Sequence, residues 1–169
     1  MKVLKKQYNS HDCLVCGIDN ELGLKTAFYE MANGVVVGVL KGKNEHQSYP
    51  NRMHGGVISA LIDETIGRAI WITSPYMLGV TTHLNITYRK IVPLNEPLFV
   101  IGKITKENKR IFEGKGVIVN MNHEVLAEGT AIYFKLPFEK MEMGLLSRDE
   151  MDVYIDDNVT DIDIDDIIF

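Results

Sequence analysis

The stretch HGGVISALIDETIGRAIW, residues 54–71, decides the fold. It reads as one helix from about Gly55 to about Trp71, with Pro75 beyond its end as a stop. Apolar residues lie round most of its circumference. No single neighbour can bury such a helix, so other elements must enclose it. Asp63, Glu64 and Arg68 interrupt the run, which argues against a membrane span.

Downstream the apolar period changes to two. In VTTHLNITYRK (80–90), Val80, Thr82, Leu84, Ile86 and Tyr88 fall on one face of a strand. Thr81, His83, Asn85, Thr87 and Arg89 fall on the other. PLFVIGKIT (97–105), RIFEGKGVIVN (110–120) and VLAEGTAIYFK (125–135) follow as strands, with turn signals at Asn108 and at Asn120 to His123. Upstream, LKTAFYEMANGVVVGVL (24–40) reads as two strands joined at Asn33-Gly34. The loop KGKNEHQSYPNRM (41–53), broken by Pro50 and Asn51, leads into the helix. The expected class is α+β: one long central helix wrapped by a curved antiparallel sheet of about six strands, the last four a meander.

The 169 residues organise as an N-terminal packing segment (1–23), a main domain (24–140) and an acidic C-terminal tail (141–169). From Asp149 to Phe169 there are nine acids and no Lys or Arg, which leaves 14 acids against 18 bases before it. Like-charge repulsion favours disorder in the tail over a peripheral strand. The mildly basic remainder suits an anionic small ligand and is too weak to argue for nucleic acid. Lys103, Lys106, Lys109, Arg110 and Lys115 read as solubilising strand edges. With no secretory signal and only two cysteines, the expected compartment is the cytoplasm.

Helical geometry separates the two acids. Glu64 stands one turn before Arg68, a favourable i,i+4 ion pair. Asp63 has only Ala60, Ile66, Ser59 and Gly67 at the corresponding positions, none cationic and three of them small. A buried, unpaired carboxylate with room around it is a candidate for chemistry, and a bond to backbone or to a base elsewhere is the structural alternative. At the other end, Gly55 and Gly56 open the helix, where free N–H groups and the helix dipole suit a carbonyl oxygen gaining negative charge. The two ends lie more than one turn apart. A site using both expects Asp63 from one subunit and Gly55 from another.

HGGVISALIDE (54–64), preceded by HQSYPNRM (46–53) and followed by GVTTHLNITYRK (79–90), resembles the hotdog-fold acyl-CoA thioesterases of the phenylacetate-degradation type. The resemblance covers roughly residues 13–136 and implies a hotdog fold acting as a homodimer or homotetramer. It implies that Asp63 activates water or attacks the thioester carbon, and that the Gly55 N–H polarises the carbonyl. His54 would hold that turn and Thr81 would help to place the water. The family often has Asn six residues before the motif His, where this chain has Ser48, and Gln47 or Asn51 are the substitutes for it. Asn51 also stands where many relatives have Gly. Gly56, Asn51, Gln47, Arg89 and Lys90 are the expected substrate-binding residues, the last two toward coenzyme A phosphates.

The function so implied is thioester hydrolysis, with the coenzyme A ester as substrate and no metal or other cofactor. A non-catalytic acyl-CoA binding protein and a hotdog dehydratase are the alternatives; the dehydratase expects a catalytic His paired with an acid. Remaining motifs read as structure. CLVC (13–16) lacks a second Cys pair for zinc and a thioredoxin-like context, so it packs. His83 and His123 are ordinary sheet and turn residues, and His46 a solvated loop residue.

Overall fold

The computed structural model describes residues 1–140, 150–164 and 167. In chain order these form β1 (Val3–Lys6), β2 (Ala27–Met31), β3 (Val36–Lys41), α1 (Gly55–Arg68), β4 (Met77–Tyr88), β5 (Pro97–Glu107), β6 (Ile111–Val119) and β7 (Val125–Pro137). The strands build one antiparallel sheet in the order β1-β2-β3-β5-β6-β7-β4. The seventh strand, beyond the expected six, is β1, whose Val-Leu-Lys-Lys sequence carries too little alternation to announce itself. The helix ends at Arg68 and tightens into a 3₁₀ turn, Ala69–Ile72.

The last four strands are not a sequential meander. β5, β6 and β7 follow one another, but β4 lies on the far side of β7, at the sheet edge. The 89–96 link carries the chain from that edge to β5, beside β3, and its Val92 and Leu94 are buried in the core. Burying those two side chains offsets the longer crossing.

The helix lies on the inner face of the sheet, with Ile58, Leu61, Ile62 and Ile66, and Ile70 of the following turn, buried against Phe28, Val36, Leu98, Val100, Phe112 and Ile118. A row of glycines lets it come close: Gly102, Gly116 and Gly129 stand directly opposite one another on β5, β6 and β7. A Cβ on Gly102 would lie 2.9 Å from the Thr65 carbonyl oxygen, so the helix backbone rests on the sheet backbone there.

The outer face has its own apolar cluster around Tyr29, Met31, Val37, Phe99 and Val117, closed by Ile162 and Ile164 of the C-terminal stretch. Like-charge repulsion was expected to leave this stretch disordered. In its described part it instead runs beside β1, with Val3 N–H donating to Thr160 O at 2.8 Å and Lys6 paired to Asp157 at 2.7 Å. Alternation of acids with Ile and Val buries one side of the segment while its acids stay exposed or meet Lys6. The parts of the tail at 141–149, 165, 166, 168 and 169 lie outside the described residues.

Candidate active site

Asp63 sits in the middle of α1, half-buried, facing a cavity of about 350 Å³. Its Oδ1 accepts hydrogen bonds from Thr81 Oγ1 at 2.9 Å and from Tyr133 OH at 3.1 Å; the same Tyr133 hydroxyl also reaches the Asp63 carbonyl at 2.8 Å. Among the described residues no cation is one of its partners. Burial holds the Asp63 carboxyl above the usual carboxylate range, the two hydroxyl donors oppose that rise, and the Glu64 charge adds to it. Tyr133 is pushed up in turn by its own burial and by the Asp63 charge, so it remains a donor. A carboxylate with a raised pKa, oriented by hydroxyls and open to a cavity, is equipped to take a proton from water or to attack an electrophile.

Glu64 behaves as its spacing predicts. Arg68 Nε donates to its Oε1 at 2.8 Å. The guanidinium, 5% exposed, lies between the rings of Phe28 and Trp71 at 4.5 and 4.7 Å. Two adjacent acids thus have different fates, one ion-paired and one not.

A β-bulge brings Thr81 to Asp63. Thr81 pairs with Tyr133 and His83 with Ile132, so Thr82 is the extra residue, and its hydroxyl donates to the Ile132 carbonyl at 3.0 Å. The alternation read from sequence holds from His83 onward, where Leu84 and Ile86 turn inward. Before the bulge it reverses: Gly79 and Thr81 face the helix, and Val80 and Thr82 face away.

The other end of α1 is a separate assembly. His54 is the helix N-cap, its Nδ1 accepting from Gly56 N–H at 2.9 Å. That commits Gly56 N–H; among the described residues no acceptor takes the N–H of Gly55. The Gly55 carbonyl accepts from Ser59 Oγ at 3.0 Å and Tyr88 OH at 3.1 Å. Gln47, Ser48 and Asn51 lie in the exposed loop just before His54. There Asn51 adopts φ +60°, a conformation Asn accepts readily, and its N–H donates to Gln47 Oε1 at 3.0 Å. Ser48 N–H closes the same turn on Arg52 O at 2.9 Å. The structure therefore groups His54, Gly55, Gly56, Gln47, Ser48 and Asn51 at one end of the helix, and Asp63 with Thr81 at its middle. Eight residues, about 12 Å along the axis, separate Gly55 from Asp63. Arg89 and Lys90 are exposed and already paired with acids, Arg89 with Glu128 of β7 and Lys90 with Glu124 just before it at 2.8 Å.

His46 is not a solvated loop residue. It is 3% exposed; its Nδ1 accepts from Lys43 N–H at 2.9 Å, which leaves Nε2 to donate to Leu22 O at 2.8 Å. It ties the loop before the helix to the N-terminal segment. Tyr133 was missed altogether. Its signal was legible: an inward position on β7, between Ala131 and Lys135, where a buried phenol needs a partner.

One helix enclosed by an antiparallel sheet in this strand order is the hotdog fold. The family model of the thioesterase superfamily matches residues 51–127, which carry the helix, β4, β5, β6 and the start of β7. This part of the chain is thus similar to that superfamily. Acyl-coenzyme A thioesterase THEM4 of Mus musculus is 31% identical over 121 residues, covering 70% of this chain and 51% of its own length. The chain thus spans about half the length of that curated relative. Among solved structures, a thioesterase superfamily protein superposes with TM-score 0.67 at 26% identity, covering 73% of this chain and 63% of its own. A hypothetical thioesterase protein from Streptococcus pneumoniae, solved with coenzyme A, gives TM-score 0.59 at 25% identity, covering 66% of this chain and 86% of its own.

Proposed function

We propose that this chain hydrolyses acyl-CoA thioesters. The observation that carries the reading is Asp63: a half-buried carboxylate with no cation beside it among the described residues, held by two hydroxyls beside a cavity, nine residues after the N-cap His54. In this reading Asp63 takes a proton from water, or attacks the thioester carbon itself. Thr81 orients the carboxylate, and a Gly55 N–H stabilises the oxyanion. Coenzyme A leaves as the thiol and the acyl group as the free acid, with no metal or other cofactor taking part. Kinship with proteins named acyl-CoA thioesterases, and with a relative solved with coenzyme A, supports this substrate class.

The 12 Å between Asp63 and Gly55 makes one subunit incomplete. We therefore place the site between two copies joined along β4, which stands at an edge of the sheet and exposes Val80 and Tyr88. Gly55→Pro tests the arrangement, because proline at the first helical position removes the N–H and little else. Asp63→Asn and Gly55→Pro proteins, each inactive alone, should regain activity when unfolded and refolded together, since a mixed pair assembles one intact site. No recovery in confirmed mixed dimers would mean that each site takes both groups from one subunit.

The hydrolase reading is tested by thiol release from short, long and aromatic acyl-CoAs, with wild type and Asp63→Asn side by side. Release by the wild type alone supports it. Full activity in the variant would sink the mechanism. Ser48, at the position where relatives often carry the water-orienting Asn, favours a second reading, a protein that binds acyl-CoA without turnover. Tight binding with no thiol released by either protein would select that reading.

A further inference from the structure

The CLVC segment packs, but it does more than fill space. Residues 13–17 make a helical turn closed by Gly17 N–H on Cys13 O at 2.8 Å, and a Cβ on Gly17 would strike that carbonyl at 2.4 Å. The turn is pinned by Asn9, whose amide donates to Cys16 O at 2.7 Å, and by Leu24 and Thr26 N–H bonding to Leu14 and Val15 carbonyls. Cys16 is 1% exposed in the core and Cys13 partly exposed, yet both line the cavity that Asp63 faces.

Each sulfur is surrounded by donors. Cys16 Sγ receives Arg68 Nη2 at 2.9 Å and lies 3.4 Å from Ser10 Oγ; Cys13 Sγ accepts from Val15 N–H at 3.3 Å and Cys16 N–H at 3.5 Å. Every arm of the Arg68 fork is committed: Nε to Glu64, Nη1 to Tyr8 O at 2.9 Å, Nη2 to Cys16. A bond from the Cys13 thiol, followed by the Arg68 charge, brings the Cys16 thiol down to about 6, whereas Cys13 is pushed up by the same bond and by burial. A metal ion is the rival occupant, because Cys13, Cys16 and Glu64 present ligand atoms within 4.8 Å of one another. Arg68 already donates to two of the three, so the trio holds a guanidinium and repels a cation.

From this geometry we propose that Cys13 and Cys16 form a peroxide-reactive dithiol, with Cys16 as the attacking sulfur and Cys13 as the resolving one. The Cys16 thiolate attacks the terminal oxygen of a hydroperoxide. An S–O bond forms, the O–O bond breaks, and the alkoxide or hydroxide released takes a proton from solvent. The Cys13 sulfur then attacks Cys16 sulfenic acid, an S–S bond forms, and hydroxide leaves with the Cys13 proton as water. The two sulfurs are oxidised by two electrons and the peroxide is reduced. Cysteines three residues apart in one helical turn lie within the reach of a disulfide.

The test reads the sulfurs directly and does not depend on any hydrolase activity. Trypsin releases residues 7–25 as one peptide that carries both cysteines of the chain and no methionine. After hydrogen peroxide treatment of the folded chain and alkylation with iodoacetamide, this peptide should lack two hydrogens and both alkyl groups. Dithiothreitol should restore the alkylation. Cys13→Ser should stop at a dimedone-trapped sulfenic acid on Cys16, and Cys16→Ser should leave Cys13 unoxidised at the same dose. Two thiols that stay alkylatable in the folded wild type overturn the site. Equal trapping of Cys13 in Cys16→Ser overturns the assignment of roles.

Discussion

Gly102→Ala should cost more stability than its chemistry suggests, because the added methyl has nowhere to go. It would stand 2.9 Å from the Thr65 carbonyl oxygen and 3.0 Å from the Thr65 carbonyl carbon and Cγ2. Two of those three atoms are helix backbone, so rotating a side chain gives no relief and α1 must lift from the sheet by several tenths of an ångström. Overpacking of this kind costs about 1–3 kcal/mol, and the entropy Ala removes from the unfolded chain returns about 0.4–1 kcal/mol. The net loss is about 1–2 kcal/mol, a Tm lowered by roughly 3–6 °C in a domain of this size. Gly129→Ala supplies the control. Its nearest neighbour is the Ile86 Cδ1 methyl at 2.6 Å, the end of a flexible side chain, ahead of Ile62 Cγ2 at 2.9 Å and Asn85 O at 3.0 Å, so Ile86→Val should relieve part of its cost. Thermal unfolding of the three variants against wild type is the assay. Asp63 stands two residues before Thr65, so the lifted helix should also slow thiol release. Gly102→Ala melting at or above the wild-type temperature would refute the idea that backbone contact sets the helix-to-sheet distance.

Asp63→Asn should abolish thiol release and yet stabilise the fold at neutral pH. Burial raises the folded carboxyl above its unfolded value, so between the two the native state holds the extra proton, and wild-type stability falls as pH rises through that window. The Asn variant escapes this loss, so its advantage in denaturant unfolding should grow from acid toward neutral pH; a constant gap would contradict the sign. Tyr133→Phe removes one hydroxyl donor from the carboxylate, and the acidic limb of kcat/KM should move to higher pH, whereas an unmoved limb would mean that Tyr133 only packs. Arg68→Leu leaves Glu64, Tyr8 O and Cys16 without their donor at a buried position, a loss on the order of 3 kcal/mol in urea unfolding. Glu64→Gln combined with Arg68→Met should recover part of it, and additive losses would argue against coupling.

The helix, its acid pair and six of the seven strands could be read from period and turn residues, because local geometry repeats in sequence. What could not be read depends on register. β4 follows the helix directly, but its partner is β7, a choice made by where Val92 and Leu94 bury. Gly102, Gly116 and Gly129 are unremarkable until pairing aligns them. His46 sits in a polar loop whose burial comes from Leu22, 24 residues away in sequence. Of the expected site residues, the structure joins Thr81 to Asp63 and puts the rest at the helix start or in surface ion pairs. Composition pointed to disorder in the tail because it counts acids and is blind to Lys6 and to an apolar face awaiting Ile162 and Ile164.

The doubled threonine at 81 and 82 leaves β4 with two alignments to choose between. Slid by one residue and straightened, the strand would set Thr82 opposite Tyr133, and the carboxylate would still meet a hydroxyl. What distinguishes the alignments lies two residues earlier. Even a Cβ on Gly79 would come within 2.7 Å of the Phe112 ring, and the slid strand would press Val80 into that place. The hydroxyls are indifferent to the slip and the aromatic ring is not. The frame in which this strand is read is therefore chosen by a side chain that is missing.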